Sequence, residues 1–399
     1  MKIVYFYQYF STPVGSWGTR AYEFAKHWVE QGHDVTIVTS VYYKSDLKAE
    51  KLVSDKNFEG INVKILNVEI SNKQPVLKRI WTFAKYSILS SWYALTLKAD
   101  IVLASSGPIT IGFPGLIARY LRRRKFVFEV RDLWPHFPVQ VGIITNPLLV
   151  KLSYWFEKLC YRAADLIVVL SPGAKQDIYD RYGYTHSISV PNIADNELFG
   201  NNKGNWVLPP AFREKKIAVY SGNIGCTNNS DLLFDAARIL QKEGRNDIII
   251  LLIGDGQQKE ELVEKAKKAD LITFRILDLM PKTELARWVQ HAMCSVIPLT
   301  DIPVIGHSSP NKLFDSLAAG KPVIQTTNGW IKQLLEENRC GFTVDTDKPE
   351  DLVQKLIQMA DNPEMVLDMG VKAKKLAVEE FDKKVLAQKM LEGMLSLNR

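Results

Sequence analysis

Ser308-Ser309-Pro310-Asn311-Lys312-Leu313-Phe314-Asp315-Ser316-Leu317-Ala318-Ala319-Gly320-Lys321-Pro322-Val323-Ile324 spells one helix with both ends marked and a buried strand after it. Ser309 suits the N-cap, because its hydroxyl can accept from an orphan backbone N–H. Pro310 suits the first helical position, where a missing N–H costs nothing. Gly320 suits the left-handed residue past the helix end, and Pro322 forbids continuation. Lys312 and Asp315 share a face near the positive end of this helix, and Leu313, Phe314 and Leu317 take the buried side. A helix N-terminus with an outward lysine is a ready anion site, suited to a diphosphate, with Ser309 and Asn311 beside it. An acid one turn on could grip ribose hydroxyls.

Outward from this stretch, short apolar strands alternate with helical patterns, which predicts an α/β chain with parallel sheets. In the first half the strands are read at residues 2–6, 34–39, 63–67, 101–104, 126–129, 166–170 and 187–190, with a helix over 19–31. In the second half they are read at 217–221, 248–253, 273–277, 294–298 and 323–326. Helices are read at 231–242, 259–269 and 282–291, and the stretch from Pro349 onward reads as mostly helical. Residues 200–216 are turn-forming and carry Pro209-Pro210, so they read as a linker. The expected domains are 1–199, linker 200–216, 217–378, and a C-terminal helix over 379–399 packing back on the first domain. Two such halves would leave a cleft, with ligands beyond the carboxyl ends of the strands.

Composition narrows the partners. The 399 residues carry 46% hydrophobic and 24% charged residues, as a globular protein does. The net charge is +7, and residues 1–200 hold 24 Lys and Arg against 17 Asp and Glu, so the whole excess lies in the first half. From Lys73 to Arg131 there are 11 basic residues against 2 acidic ones, including Arg122-Arg123-Arg124-Lys125. This pattern points to an anionic surface or ligand, or to a solvated helix end. No nucleic-acid-binding pattern appears. Cys160, Cys226, Cys294 and Cys340 lie far apart, which fits a reducing cytosol and no metal site. No secretion signal or spanning run is read, so a cytoplasmic location is expected.

Three glycine-bearing loops follow strands. Gly15 and Gly18 lie in the first, and Gly222-Asn223-Ile224-Gly225 and Gly254-Asp255-Gly256 form the others. Such glycines would let backbone approach a phosphate or sugar, or would serve ordinary strand-to-helix loops. Arg131-Asp132-Leu133-Trp134-Pro135-His136 follows a strand, and its charges face a cleft or pair with each other. Two segments, residues 77–95 and 147–156, place Trp and Leu among basic residues. Each suits an interfacial helix or one covering its own sheet.

These motifs together resemble the retaining glycosyltransferases of family four, with the GT-B architecture of two Rossmann-like domains. The resemblance is carried by the Gly15/Gly18 loop, Gln31-Gly32-His33-Asp34-Val35, Arg131 to Pro135, Ala164-Asp165-Leu166-Ile167-Val168-Val169-Leu170-Ser171, and Val190-Pro191-Asn192. It continues through Gly222 to Gly225, Ile253 to Gly256, and Ala319-Gly320-Lys321-Pro322-Val323. The Arg-Asp-Leu-Trp-Pro string further resembles the branch that builds bacterial O-antigen and capsule repeats, some of whose members are assigned N-acetyl-L-fucosamine transfer. The resemblance implies a nucleotide diphosphate sugar donor, UDP-linked, in the second domain and a lipid-diphosphate-linked saccharide acceptor in the first. It implies retained configuration, no cofactor, no obligatory metal, and a peripheral place on the inner face of the bacterial membrane, against an anionic membrane surface.

By the same resemblance, Arg131, Asp132 and Lys312 are the catalytic candidates. Gly15, Gly18, Gly222, Asn223, Gly225, Gly254, Asp255, Ser309, Asn311 and Asp315 are candidates for the nucleotide sugar, with Asp315 on the ribose. Trp17 and His136 are candidates for the acceptor. The chain departs from the family pattern at His307 and Asp315, where two glutamates are usual, and at Asn223 and Asn228, where Arg and Lys are usual. It departs again at Arg131, often a histidine, and at His136, often a glutamate. A nucleotide-sugar epimerase of the same architecture and a non-catalytic nucleotide-sugar-binding relative are the alternatives.

Overall fold

The structure, a computed structural model, describes residues 1–71, 74–201 and 206–398. Lys73 of the basic stretch and residues 202–205 of the expected linker lie outside the described residues. The chain divides into two compact units, Met1–Pro191 with Lys383–Arg399, and Asn192–Asp382.

The first unit runs β1 (Lys2–Phe6), α1 (Arg20–Glu30), β2 (Asp34–Tyr42), β3 (Val53–Phe58), β4 (Ile61–Ile70), α2 (Val76–Thr96) and β5 (Ile101–Ser105). It continues through α3 (Gly112–Arg122), β6 (Lys125–Val130), α4 (His136–Gln140), α5 (Pro147–Ala163), β7 (Leu166–Val169), α6 (Pro172–Tyr182) and β8 (Ser187–Ser189). Among the described residues these strands form an eight-stranded sheet in the order β3-β4-β2-β1-β5-β6-β7-β8. Every pairing is parallel except β3 with β4. The central strands are continuous apolar runs because a parallel sheet is covered on both faces. Register places Ile3 beside both Val35 and Ile101, all buried.

β3 has no counterpart in the sequence reading. Val53-Ser54-Asp55-Lys56-Asn57-Phe58 is a polar edge strand. It is held by a turn whose Glu59 (φ 50°) and Gly60 (φ 89°) are both left-handed, as tight hairpins require.

The second unit holds β9 (Lys216–Asn223), α7 (Ser230–Lys242), β10 (Ile248–Asp255), α8 (Lys259–Lys268), β11 (Phe274–Leu277), α9 (Lys282–His291) and β12 (Cys294–Ile297). After these come α10 (Asn311–Ala318), β13 (Val323–Gln325), α11 (Trp330–Asn338), β14 (Gly341–Thr343), α12 (Pro349–Asp361) and α13 (Pro363–Glu379). Its strands form a parallel sheet in the order β11-β10-β9-β12-β13-β14.

The unit boundaries differ from the expected 199/200 and 378/379. Residues 192–199 belong with the second unit because backbone bonds hold them there. The Asn192 N–H donates to the Ser309 hydroxyl at 3.2 Å, and the Ala194 N–H donates to the Phe381 carbonyl at 2.7 Å. Residues 379–382 stay with that unit because Asn196 Nδ2 donates to the Ala377 carbonyl and the Asp382 carboxylate.

The last helix, α14 (Lys383–Leu395), packs in the first unit against α1. The buried Trp28 indole donates to the Ala387 carbonyl at 3.0 Å, and Lys383 pairs with the buried Glu23 at 3.1 Å. Trp28→Ala should therefore loosen α14 and destabilise the first unit by about 3–5 kcal/mol. In urea its unfolding transition should move to lower concentration while that of the second unit stays in place.

Candidate active site

In the second unit, the site is built where β9 and β10 end. Gly222 has φ 138°, a conformation that excludes other residues. The two strand ends then run so close that a Cβ on Gly254 would lie 1.9 Å from the Gly222 carbonyl oxygen. One on Gly256 would lie 2.1 Å from the carbonyl oxygen of Ile224. These glycines are thus required by backbone packing between the two loops, where the sequence suggested approach to a ligand. Asp255 is engaged locally, its carboxylate accepting from the Gly256 N–H at 2.9 Å. The Gly225 N–H is also taken, donating to the Ser230 hydroxyl at 3.2 Å. Asn223 is exposed, and its carbonyl accepts from the Tyr220 hydroxyl.

Lys312 leans over this loop from α10. Its Nζ lies 3.9 Å from the centroid of the buried Tyr220 ring, and it donates to Asn228 Oδ1 at 3.3 Å. A cation held over an aromatic face gains from the negative potential of the ring. The N-terminus of α10 lies beside it, with no side-chain cap and with Asn311 as its first residue.

The start of the opening helix differs from expectation and its end agrees. Pro310, not Ser309, occupies the N-cap position, because the Ser309 hydroxyl is drawn off to the Asn192 N–H. Gly320 is left-handed as expected (φ 64°). The N–H groups of Gly320 and Lys321 bond back to Leu317 and Ser316, a Schellman closure.

The residue expected on the ribose is Asp315. It is 5% exposed, and its Oδ1 sits 3.1 Å from Lys282 Nζ of α9, an ion contact without hydrogen-bond geometry. Burial pushes its carboxyl up, and Lys282 offsets only part of that. Lys282 is buried too, over the Phe199 ring.

In the first unit, the strand ends carry a buried charge network that the sequence reading missed. Glu129 has no solvent exposure. It accepts from Tyr5 Oη at 2.9 Å, Ser105 Oγ at 2.5 Å and Arg20 Nε at 2.9 Å. Burial pushes its carboxyl up, but Arg20 and Arg131 outweigh that and hold it below the ordinary carboxylate range. Arg20 also donates to the carbonyls of Val190 and Pro191. The signal was legible: Phe126-Val127-Phe128-Glu129-Val130 puts one carboxylate in an otherwise apolar strand, which demands a partner.

Arg131 follows on β6. Its backbone N–H donates to Ser106 Oγ at 3.0 Å, and its guanidinium lies 5.1 Å from the Tyr7 ring centroid. Asp132 is exposed beside it. Gly15 is buried against Ser11 in a loop tied down by Asp46, which accepts from the Thr12 N–H and hydroxyl at 2.9 and 2.7 Å. Gly15 thus serves the loop's own closure. Gly18 is half-buried just before α1, and Trp17 packs edge-on against Tyr42 at 5.1 Å. His136 is bound to Tyr154 and Gln140 at 3.0 and 2.8 Å, a tie between α4 and α5.

Comparison with known proteins places this architecture. Residues 15–192 match the glycosyl transferase 4-like domain, and residues 209–376 match the glycosyl transferases group 1. An uncharacterized glycosyltransferase of Haemophilus influenzae is 22% identical over 362 residues, covering 90% of each chain. Among solved structures, sucrose-phosphate synthase from Thermosynechococcus elongatus superposes with a TM-score of 0.75 at 15% identity, over 100% of this chain and 99% of that one. Anabaena HepE, solved in complex with UDP, gives 0.66 at 16% identity, over 99% and 100%. Two Rossmann-like units of this kind are the GT-B fold. The chain belongs to the group 1 glycosyltransferases.

The buried ion contact supplies a direct check on Asp315. Asp315→Ala leaves Lys282 buried without its counter-charge and should cost about 3–5 kcal/mol in denaturant unfolding. Adding Lys282→Met should restore most of that loss; a single variant as stable as the parent would return Asp315 to the ligand.

Proposed function

We propose that this glycosyltransferase moves a sugar, of the N-acetylated deoxyhexosamine class, from a UDP-linked donor to a lipid-diphosphate-linked saccharide with retention of configuration. The observation that carries the donor half is Lys312. It is held over Tyr220 beside the uncapped start of α10. A cation and a helix N-terminus together stabilise a departing diphosphate, the charge that develops as the sugar leaves. The UDP in the solved Anabaena relative is consistent with that donor. The resemblance to the O-antigen and capsule branch supports the sugar and acceptor classes.

The membrane half rests on α2. Its apolar stripe faces outward: Leu77 is 82% exposed, Trp81 67% and Trp92 64%, with Ile80 and Ile88 alongside. Its buried face is Thr82, Tyr86, Ser87, Ser90 and Ala94. A helix that merely covered its sheet would be turned the other way. α3 packs on α2, and Phe113 of α3 stacks on Phe156 of α5 at 4.5 Å. α5 adds exposed Leu148, Leu149, Leu152 and Trp155. Exposed Lys78, Lys85 and Lys151 flank these residues. Apolar surface rimmed by lysine suits a peripheral site on anionic lipid. Among the described residues, no helix is long and apolar enough to cross a membrane.

Titration calorimetry with UDP tests the donor site. Lys312→Ala should raise the Kd for UDP about tenfold, a loss of about 1.4 kcal/mol, without changing the melting temperature. Unchanged affinity would remove Lys312 from the site. Incubation with donor alone should give no new nucleotide sugar, whereas an epimerase would make one. Sedimentation with vesicles containing anionic lipid tests the flank. The pair Trp81→Ala and Trp92→Ala should leave most of the protein in the supernatant, and wild-type behaviour in that variant would assign α2 a different contact.

A further inference from the structure

β4 carries an irregularity near its end. Ser40 of β2 pairs with Leu66, but the next residue, Val41, pairs with Glu69, so Asn67 and Val68 have no counterpart on β2. Bulges of this kind re-aim side chains and are common beside functional sites. Here the bulged strand forms one wall of an open cavity of about 280 Å³. The other wall is α2, whose Lys78, Trp81 and Lys85 stand on one helical face at spacings of three and four. Two struts hold the walls. Lys85 Nζ donates to the Asn67 carbonyl at 3.3 Å, and the Gln74 amide donates to the Glu69 carbonyl at 3.1 Å. An ammonium has three donors, so Lys85 keeps others for a ligand.

Glu69, Lys78, Trp81 and Lys85 are all exposed, so the cavity is open to whatever approaches this flank. Among the described residues, Lys78 and Glu69 form no ion pair. The lining thus offers two ammoniums and one carboxylate. The ammoniums attract a phosphate, but the carboxylate repels a plain anion. A quaternary ammonium cannot donate a hydrogen bond to that carboxylate. A phosphodiester whose other arm ends in a primary ammonium meets both signs of charge with charge-assisted hydrogen bonds. The Trp81 indole in the same lining suits the level of lipid headgroups, and its neighbour Leu77 is 82% exposed toward the apolar layer.

We propose that the cavity between β4 and α2 binds a phosphoethanolamine lipid headgroup, with Lys78 and Lys85 on the phosphate and Glu69 on the ammonium. This rests on the membrane reading of α2 and adds a headgroup selectivity to it. Net charge draws the flank to the surface; the cavity then sorts lipids by the hydrogen-bond donors on their headgroups.

The full chain is sedimented with vesicles of phosphatidylcholine and a fixed fraction of phosphatidylglycerol. It is then sedimented with vesicles in which phosphatidylethanolamine replaces part of the phosphatidylcholine. The wild type should partition onto the second set roughly threefold better, the size of one added ion pair at an open surface. Soluble glycerophosphoethanolamine should reverse that gain, and inorganic phosphate at the same concentration should not. Glu69→Gln should lose the gain while keeping its binding to the first set and its Kd for UDP. Lys78→Gln with Lys85→Gln should lose it too. A gain that survives in Glu69→Gln comes from looser lipid packing and overturns the proposal, as does reversal by inorganic phosphate or no gain in the wild type. If the wild type sediments with neither set, the membrane reading beneath the proposal falls, and this site with it.

Discussion

A carboxylate with no access to water sits at the end of β6, and the first unit is arranged around keeping it charged. Glu129 takes one bond from each of β1, β5 and the start of α1 through Tyr5, Ser105 and Arg20. Isolated in an apolar strand, that charge would cost several kcal/mol. Met by three donors, Arg20 among them, and by the nearby Arg131 guanidinium, it ties the ends of two strands to the start of a helix. Arg20 carries the constraint on to the carbonyls of Val190 and Pro191, where the chain leaves this unit.

The second unit solves a similar problem with backbone alone. β9 and β10 pair in register to their last residues, Gly254 beside Gly222 and Asp255 beside Asn223. That contact leaves no room for a side chain at Gly254 or Gly256. The loops thus become a rigid floor, with the Tyr220 hydroxyl bound to the Asn223 carbonyl beneath it. Lys312 stands on that floor, over the Tyr220 ring. Its aromatic support is neutral, because burial raises the Tyr220 phenol far above physiological pH.

How much of this was legible depends on whether a feature is local. Apolar strands and marked helix ends were legible, since each is specified by neighbours in sequence. Lys282–His291 was read to its last residue, and Gly320 was read as left-handed. β3 was not, because a polar edge strand is specified by its partner β4. Lys312 was legible as the outward lysine of a helix start. The Ser309 cap was misread because its hydroxyl is claimed by Asn192, and the contact of Asp315 with Lys282 was not legible because it too joins residues distant in sequence. The glycine loops were placed correctly at the strand ends, yet their glycines answer to each other. No spacing rule reveals that two loops will touch.

The orientation of α2 shows the same limit in its sharpest form. Periodicity tells that a helix has an apolar stripe; it does not tell which way the stripe faces. Here Thr82, Ser87 and Ser90 take the inner face because their hydroxyls return to backbone carbonyls: those of Lys78 for Thr82, Phe83 and Thr110 for Ser87, and Ser87 for Ser90. Small polar residues satisfied in this way can be buried at little cost and allow close packing. Tyr86 anchors the face by donating to the Val38 carbonyl at 2.7 Å. Leu77, Ile80, Trp81, Ile88 and Trp92 are then left outside. Burying side chains of this size is worth about 1.5–3 kcal/mol each, so a globular chain with no other use for them would turn them inward. The basic excess of the sequence falls on the same stretch of chain. Only one of its arginine run is withdrawn from the surface: Arg124, which donates to the Ala94 carbonyl at the end of α2. Charge and grease on one flank are what a lipid surface rewards and what folding alone does not explain.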